Sequence, residues 1–470
     1  MKSISDDEDE SSEESGEKIR NVRSLLIKTS DNKSDFECNY VFKRKLGDLI
    51  FDAHFEGGNL GLVEQIDRFT YDLMVRPDVA NPRFRSWFNF TVSNQLPNQC
   101  VIFSLVNLSE TINLFNQGLT PVVRSRHNPN WIRLSRDQVF YYRSPEHSFR
   151  RILSIAFRFD THSGSAFARN NEHQFALFYP YTISRLEHFV TRWSIELKRQ
   201  HLKQGLSAGA SQEYPQDQSV RSVSVLGKSA TPVPLERRPK SSLDFTRTSS
   251  RLKRDLSTNF QVIPEFKVKI IAESVLSKPV YQLGIEDQNC LARQKRLKVI
   301  FVGGWSGNFE SITAYICQGL LDFALDSQDP VAQVLRQHVD IVTFPIPDPD
   351  SSWSGNSRSD IFGQANLTQQ IAESNPRLYA NILAIRNTIK SICEQNQNGS
   401  VIILHSRVNA NLIGTRVVGR NYSDDTFRME RHLRLPRLFS TFIDGFYLEN
   451  CRFPDASLLS GRDHLFDVRT

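Results

Sequence analysis

In the stretch LKVIFVGGWSGNFESITAYICQGLLDFAL, a β-rich apolar run meets a glycine-rich turn and then an amphipathic helix whose first charge is Glu310. A carboxylate at a strand-to-helix turn stands where α/β proteins often place a metal ligand or an acid–base group. The competing reading is structural, because an acid in the first turn of a helix is stabilised by the helix dipole. A second candidate is His405, which ends the apolar run in VIILHSRVNANLIG. A lone imidazole at a strand end is more often a hydrogen-bonded structural group than a ligand. Ser306 in GWSGN is a third. That stretch lacks the last glycine of a G-x-S-x-G elbow and has no evident base, so acyl transfer by a Ser–His–acid set has weak support.

The elements that must position these groups follow from periodicity. VYQLGIED, LKVIFVGG, VDIVTFP and SVIILHS have the length and composition of buried strands, and 311–325 and 376–395 have the spacing of helices. This alternation predicts an α/β domain whose strands are covered on both faces. Its chemistry belongs on the loops at 303–310, 345–369 and 405–414. Between residues 48 and 181 the pattern differs: short alternating runs such as YDLMV, WFNFTV, CVIFSL, VFYYRS and RILSIAFRFD are separated by Pro, Asn, Gly and Ser. That spacing predicts an antiparallel β-sandwich. A helix follows at 183–203, with Leu186, Phe189, Val190, Trp193 and Leu197 on one face.

A chain of 470 residues has room for two folded units. The expected division is a disordered acidic tail (1–22), a β-sandwich domain (23–182), the helix (183–203), a disordered basic Ser/Pro-rich linker (204–262) and an α/β domain (263–470). The linker reads first as a solvated insertion and second as a docking arm for polyanions. No apolar run approaches the ~20 residues that cross a bilayer, and the acidic N-terminus has no signal-peptide character. The expectation is a cytoplasmic protein with no membrane partner. A net charge of +6 over this length is no nucleic-acid signature. Cys38, Cys100, Cys290, Cys317, Cys393 and Cys451 form no C-x-x-C pair, so they are expected to be reduced packing residues.

Several stretches carry a family resemblance. FDAHFEGGNLG, YDLMVRPDVANPRFRSWFNFTV, VIFSLVNLS and FALFYPYTISRLEH resemble the N-terminal domain of the cytosolic carboxypeptidases, a branch of the zinc metallocarboxypeptidases. AESVLSKPVYQLGIED resembles the strand pair opening their catalytic domain, and YICQGLLDFAL the helix after their first metal loop. The resemblance implies a β-sandwich followed by a metallocarboxypeptidase-like α/β domain with a mixed central sheet, zinc as cofactor, and acidic protein tails such as tubulin's as partners. It also implies cytoplasmic residence with microtubule association.

In that family the first loop supplies two ligands spaced H-x-x-E, and a third His comes from a later strand end, leaving a water position open. Here Glu310 keeps the carboxylate, Gly307 stands at the first His, and His405 takes the third position after an adjustment of one or two residues. The family's substrate-binding Asn and Arg fall on Thr368 and Gln369, after Asn366-Leu367, and an amide cannot replace the guanidinium fork. The general base would follow DASLLSGRDHLFDVRT, where the sequence ends, so the α/β domain is read as truncated.

These departures put activity in question. They favour a catalytically impaired binding protein with weak or absent zinc, in which Arg83, Arg85 and Arg407 are candidates for holding acidic tails. The alternative is an active zinc carboxypeptidase, a protein deglutamylase, using Glu310 and His405 as displaced ligands.

Overall fold

Alternating side chains turn the first part of the chain into two sheets that share one core. The computed structural model describes residues 47–109, 113–160, 172–209, 263–286, 297–305, 307–365, 367–396, 400–408, 417–418, 425–443, 446, 448 and 451–452. The expected acidic tail, the linker beyond 209, Cys38, Cys290, Ser306, Asn366 and the stretch after 452 lie outside these residues.

Strands β1 (Ile50–Asp52), β4 (Asn89–Ser93), β10 (His173–Ala176), β6 (Val122–Ser125) and β7 (Ile132–Arg133) form the first sheet in that order. Strands β2 (Leu62–Gln65), β3 (Thr70–Met74), β5 (Cys100–Leu105), β9 (Arg150–Arg158) and β8 (Val139–Ser144) form the second. Phe51, Phe90, Val92 and Phe175 from one sheet meet Tyr71, Leu73, Phe103, Leu105 and Ile155 from the other. Phe103 is central, with ring centroids of Phe51, Tyr71, Phe90 and Phe175 at 5.7, 6.0, 6.1 and 5.4 Å.

The pairing departs from the antiparallel expectation at one place, since β3 and β5 are parallel, Thr70 opposite Ile102. Between them the chain crosses to the first sheet as β4, so it returns in its original direction. Cys100 is exposed, contrary to a packing role, whereas Cys317 is fully buried and burial pushes its thiol pKa up.

The third sheet runs β11 (Glu265–Glu273), β12 (Pro279–Glu286), β14 (Val339–Phe344), β13 (Leu297–Val302) and β15 (Val401–His405). It is mixed: β11, β12 and β14 pair antiparallel, while β14, β13 and β15 are parallel. Helices cover both faces. On one, α1 (Ile183–Gly209) and α2 (Ser311–Leu325) bury Leu186, Phe189, Leu321 and Leu325 against Leu283, Ile285 and Ile341. On the other lies a later helix, Ala380–Gln395, whose Ile382, Ile385 and Ile389 pack on Ile300, Val302 and Phe344. Between these come α3 (Pro330–His338), α4 (Pro349–Ser354) and α5 (Gln369–Ser374), which makes the later helix α6; α7 (Thr426–Phe442) closes the set.

Helix α1 runs past the expected end at 203, since no proline interrupts it before residue 215. Helix α6 starts at Ala380 rather than 376, because Leu378 and Tyr379 N–H both turn back to the Asn375 carbonyl. Among the described residues no helix is long and apolar enough to cross a membrane.

Truncating the aromatic hub, Phe103→Ala, is expected to cost about 3–5 kcal/mol, read as a lower midpoint in urea denaturation with an unchanged slope.

Candidate functional site

Strand β13 delivers the chain to Gly303 and Gly304 at the carboxyl edge of the sheet, where a short 3-10 turn, Asn308–Glu310, leads into α2. Gly304 is a contact requirement: a Cβ there would lie 2.4 Å from the Glu310 Cβ and 2.5 Å from its Oε2. Its N–H donates to Thr313 Oγ1 (2.7 Å), and that hydroxyl donates to the Glu310 carbonyl (2.7 Å), which fixes the turn.

Glu310 is 4% exposed. Its Oε1 lies 3.8 Å from Arg407 Nε and accepts from the Val408 N–H at 3.4 Å. The helix dipole therefore does not account for this acid alone. Parallel register sets His405 opposite Val302, and the Ser406 N–H donates to the Val302 carbonyl (2.9 Å). The ends of β13 and β15 thus bring Glu310, His405 and Arg407 to one edge of the sheet.

A further cation joins them. Arg358 lies over the rings of Phe309 (5.5 Å) and Phe84 (5.9 Å). Burial lowers its pKa, while Glu310 and Asp78 oppose that shift and Arg407 adds to it. Its segment is held from the other domain by Asp78, a buried residue. Asp78 Oδ1 accepts from Ser357 N–H (2.6 Å) and Oγ (2.7 Å). Its Oδ2 accepts from the N–H of Arg358 (2.8 Å), the N–H of Ser359 (2.9 Å) and Ser359 Oγ (3.0 Å). One carboxylate satisfies five donors, three of them successive backbone N–H groups. Such charge-assisted bonds are about twice as strong as neutral ones.

Gly307 has φ 75° and ψ −164°, a region open essentially to glycine alone. A Cβ there would sit 2.5 Å from the Asn356 carbonyl oxygen. The adjacent Asn308 N–H donates to that same oxygen (2.8 Å), its Nδ2 to the Ser352 carbonyl (2.9 Å), and the Phe309 N–H to the Ser357 carbonyl (3.3 Å). Gly307 therefore offers no side-chain donor, and this backbone has no space for one.

Among the described residues no three His, Cys, Asp or Glu side chains are grouped as a metal ion requires. Glu310 already faces a guanidinium, so the donor set described here does not fit zinc. Thr368 accepts from the Ile371 N–H as the N-cap of α5. It serves the helix, and the Gln369 side chain lies outside the described residues.

Sequence reasoning missed Arg358 and Asp78. Both sit in loops, RPDVANP and SGNSRSD, whose polar composition matches any solvated turn. The available signal was weak: a run of Ser, Asn and Gly next to one Arg, within the loop at 345–369.

Two sheets around one core are followed by a mixed sheet with helices on both faces and the Gly303–Glu310 turn at the end of β13. The model of the cytosolic carboxypeptidase N-terminal domain matches residues 51–160. Human cytosolic carboxypeptidase 6 is 28% identical over 427 residues, covering 91% of this chain and 70% of the relative. The Caenorhabditis elegans protein of that name is 27% identical, covering 87% and 73%. The mouse one is 28% identical, and the chain spans 65% of its length.

Among solved structures, a metallocarboxypeptidase from Burkholderia cenocepacia matches with a TM-score of 0.57 at 16% identity, covering 86% of this chain and 82% of that one. One from Pseudomonas aeruginosa, solved with (2-guanidinoethylmercapto)succinic acid, gives 0.54 at 16% identity, covering 88% and 83%. These structures share the fold. The chain is similar to the cytosolic carboxypeptidases, through the family's N-terminal domain at 51–160 and through relatives at 27–28% identity.

Two substitutions check this geometry. Gly307→His is expected to lower the melting temperature and leave bound zinc, measured by elemental analysis, no higher than in the parent. Asp78→Ala strands several buried donors and is expected to cost on the order of 3 kcal/mol, read by denaturant unfolding.

Proposed function

We propose that this chain is a cytoplasmic, microtubule-associated binding protein built from a β-sandwich and a mixed α/β domain. In this reading it holds glutamate-rich protein tails such as tubulin's, with hydrolysis impaired and zinc weak or absent. The observation that carries it is Gly307, whose glycine-only backbone and contact with the Asn356 carbonyl leave no room for a ligand side chain.

The binding half rests on cations. Arg358 and Arg407 stand around Glu310, and exposed Arg83 and half-buried Arg85 flank Phe84, whose ring meets Arg358. Guanidinium groups suit carboxylates because their paired donors match the two oxygens. Such binding weakens as salt rises, since exposed charges separated by more than ~8–10 Å are screened near physiological ionic strength.

Elemental analysis of the purified protein and of Glu310→Ala is the first test. Background zinc in both, with a glutamate peptide bound in calorimetry, is the expected result. Zinc near one per chain that is lost in Glu310→Ala would overturn the reading in favour of an active deglutamylase using Glu310 and His405. Arg358→Ala is expected to weaken the peptide roughly tenfold, about 1.4 kcal/mol.

A further inference from the structure

Behind the candidate site, under the indole of Trp305, lies a small cavity lined by Asp348, Asp350, Asp360, Tyr379 and Asn381. All three carboxyls are buried, and each is tied to the backbone around it. Asp348 accepts from Ser351 Oγ (2.5 Å) and the Ser351 N–H (3.3 Å). Asp350 accepts from Ser274 Oγ (2.5 Å) and the Leu276 N–H (3.2 Å). Asp360 Oδ1 accepts from the N–H groups of Phe362 (2.9 Å) and Gln364 (2.7 Å).

Two atoms remain unmatched. Trp305, 1% exposed, has its Nε1–H without an acceptor, and Asp360, 3% exposed, has Oδ2 without a donor. The Tyr379 hydroxyl lies beside the Asp360 carboxyl and acts on it as a polar neighbour, with no well-formed hydrogen bond to Oδ2. An orphan donor and an orphan acceptor in one polar cavity are what a single water molecule satisfies. The cavity is of that size.

The charges are also unmatched. Asp348 faces Asp350 and Asp360, from α4 and the segment after it. From the β11–β12 turn comes one cation, Lys278, acting on Asp350, and its Nζ lies over the Trp353 ring at 3.3 Å. Helix α6 contributes neutral Asn381, whose Nδ2 donates to the Pro347 carbonyl, and the loop before α6 contributes Tyr379. Three buried carboxylates against one cation cannot all ionise cheaply.

We propose that this cavity is a proton site, in which the three carboxyls retain a proton together with one water molecule, and that release of the proton to solvent loosens the 348–364 segment carrying Arg358. Burial, with Asp350 and Asp360 beside it, pushes Asp348 up to about 8; burial pushes Asp360 up to about 6 and moves Asp350 in the same direction. All three lie above their unfolded value, 3.8, so the folded state binds more protons. The stability they contribute is full below about pH 4 and is lost as pH climbs toward about 8.

Thermal unfolding of the full chain at pH 5.5 and 8.5 tests this. The parent is expected to lose several degrees across the interval. Asp348→Asn is expected to lose markedly less and to melt above the parent at pH 8.5, with Asp360→Asn showing the same trend more weakly. A variant that folds and keeps the parent's pH dependence would overturn the proposal. Amide exchange on the unmodified protein is the arm that needs no variant. After correction for intrinsic pH dependence, 348–364 is expected to open more at pH 8.5 relative to β9, and equal change in both would also overturn it.

Discussion

A single buried carboxylate, Asp78, sets how the first domain meets the second. It belongs to the β domain, yet all five donors bound to it come from residues 357–359 of the α/β domain. Those residues carry Arg358 and follow Asn356, whose carbonyl fixes the Gly307–Asn308 turn. Glu310 follows within the same turn. The candidate site therefore inherits its geometry from a loop that is itself held by the other domain.

Around that carboxylate the domains meet backbone to backbone. A Cβ on Gly355 would sit 2.4 Å from the Gly58 carbonyl oxygen, and one on Gly363 would sit 2.5 Å from that of Ala80. Both glycines have positive φ, 76° and 84°. Side-chain amides seal the seam: Asn59 donates to the Gly355 carbonyl (3.2 Å), Asn81 to that of Gly363 (2.8 Å), and Asn356 accepts from the Val79 N–H (3.0 Å). Backbone groups have no rotamers to relax, so a seam of this kind transmits displacement instead of absorbing it. Sliding one domain against the other would break several of these bonds together.

This seam was the part least legible in the sequence. The run 297–325 declared a strand, a glycine turn and a helix, because burial on both faces leaves continuous apolar runs, and α2 begins at Ser311 as its periodicity predicts. Gly307 was legible as a residue without a side-chain ligand atom, but not as one that must be glycine, since that depends on an oxygen contributed by Asn356 far along the chain. Asp78 and Asp348 look like ordinary loop acids until tertiary contacts surround them. The parallel β3–β5 pair was hidden for a related reason: alternation shows which face of a strand is buried but not its direction, and direction here depends on β4 crossing to the opposite sheet.

The charges at the site form a nearly closed account. Glu310 and Asp78 stand against Arg358 and Arg407, two acids and two bases within one partly dry region. Removing one member would leave an uncompensated charge, at a cost of about 3–5 kcal/mol where burial is deep. A divalent cation entering here would have to displace a guanidinium from Glu310 and lie near two positive groups. The turn that leaves no room for a side chain at 307 and the arginines beside Glu310 thus act in one direction, against a cation at Glu310.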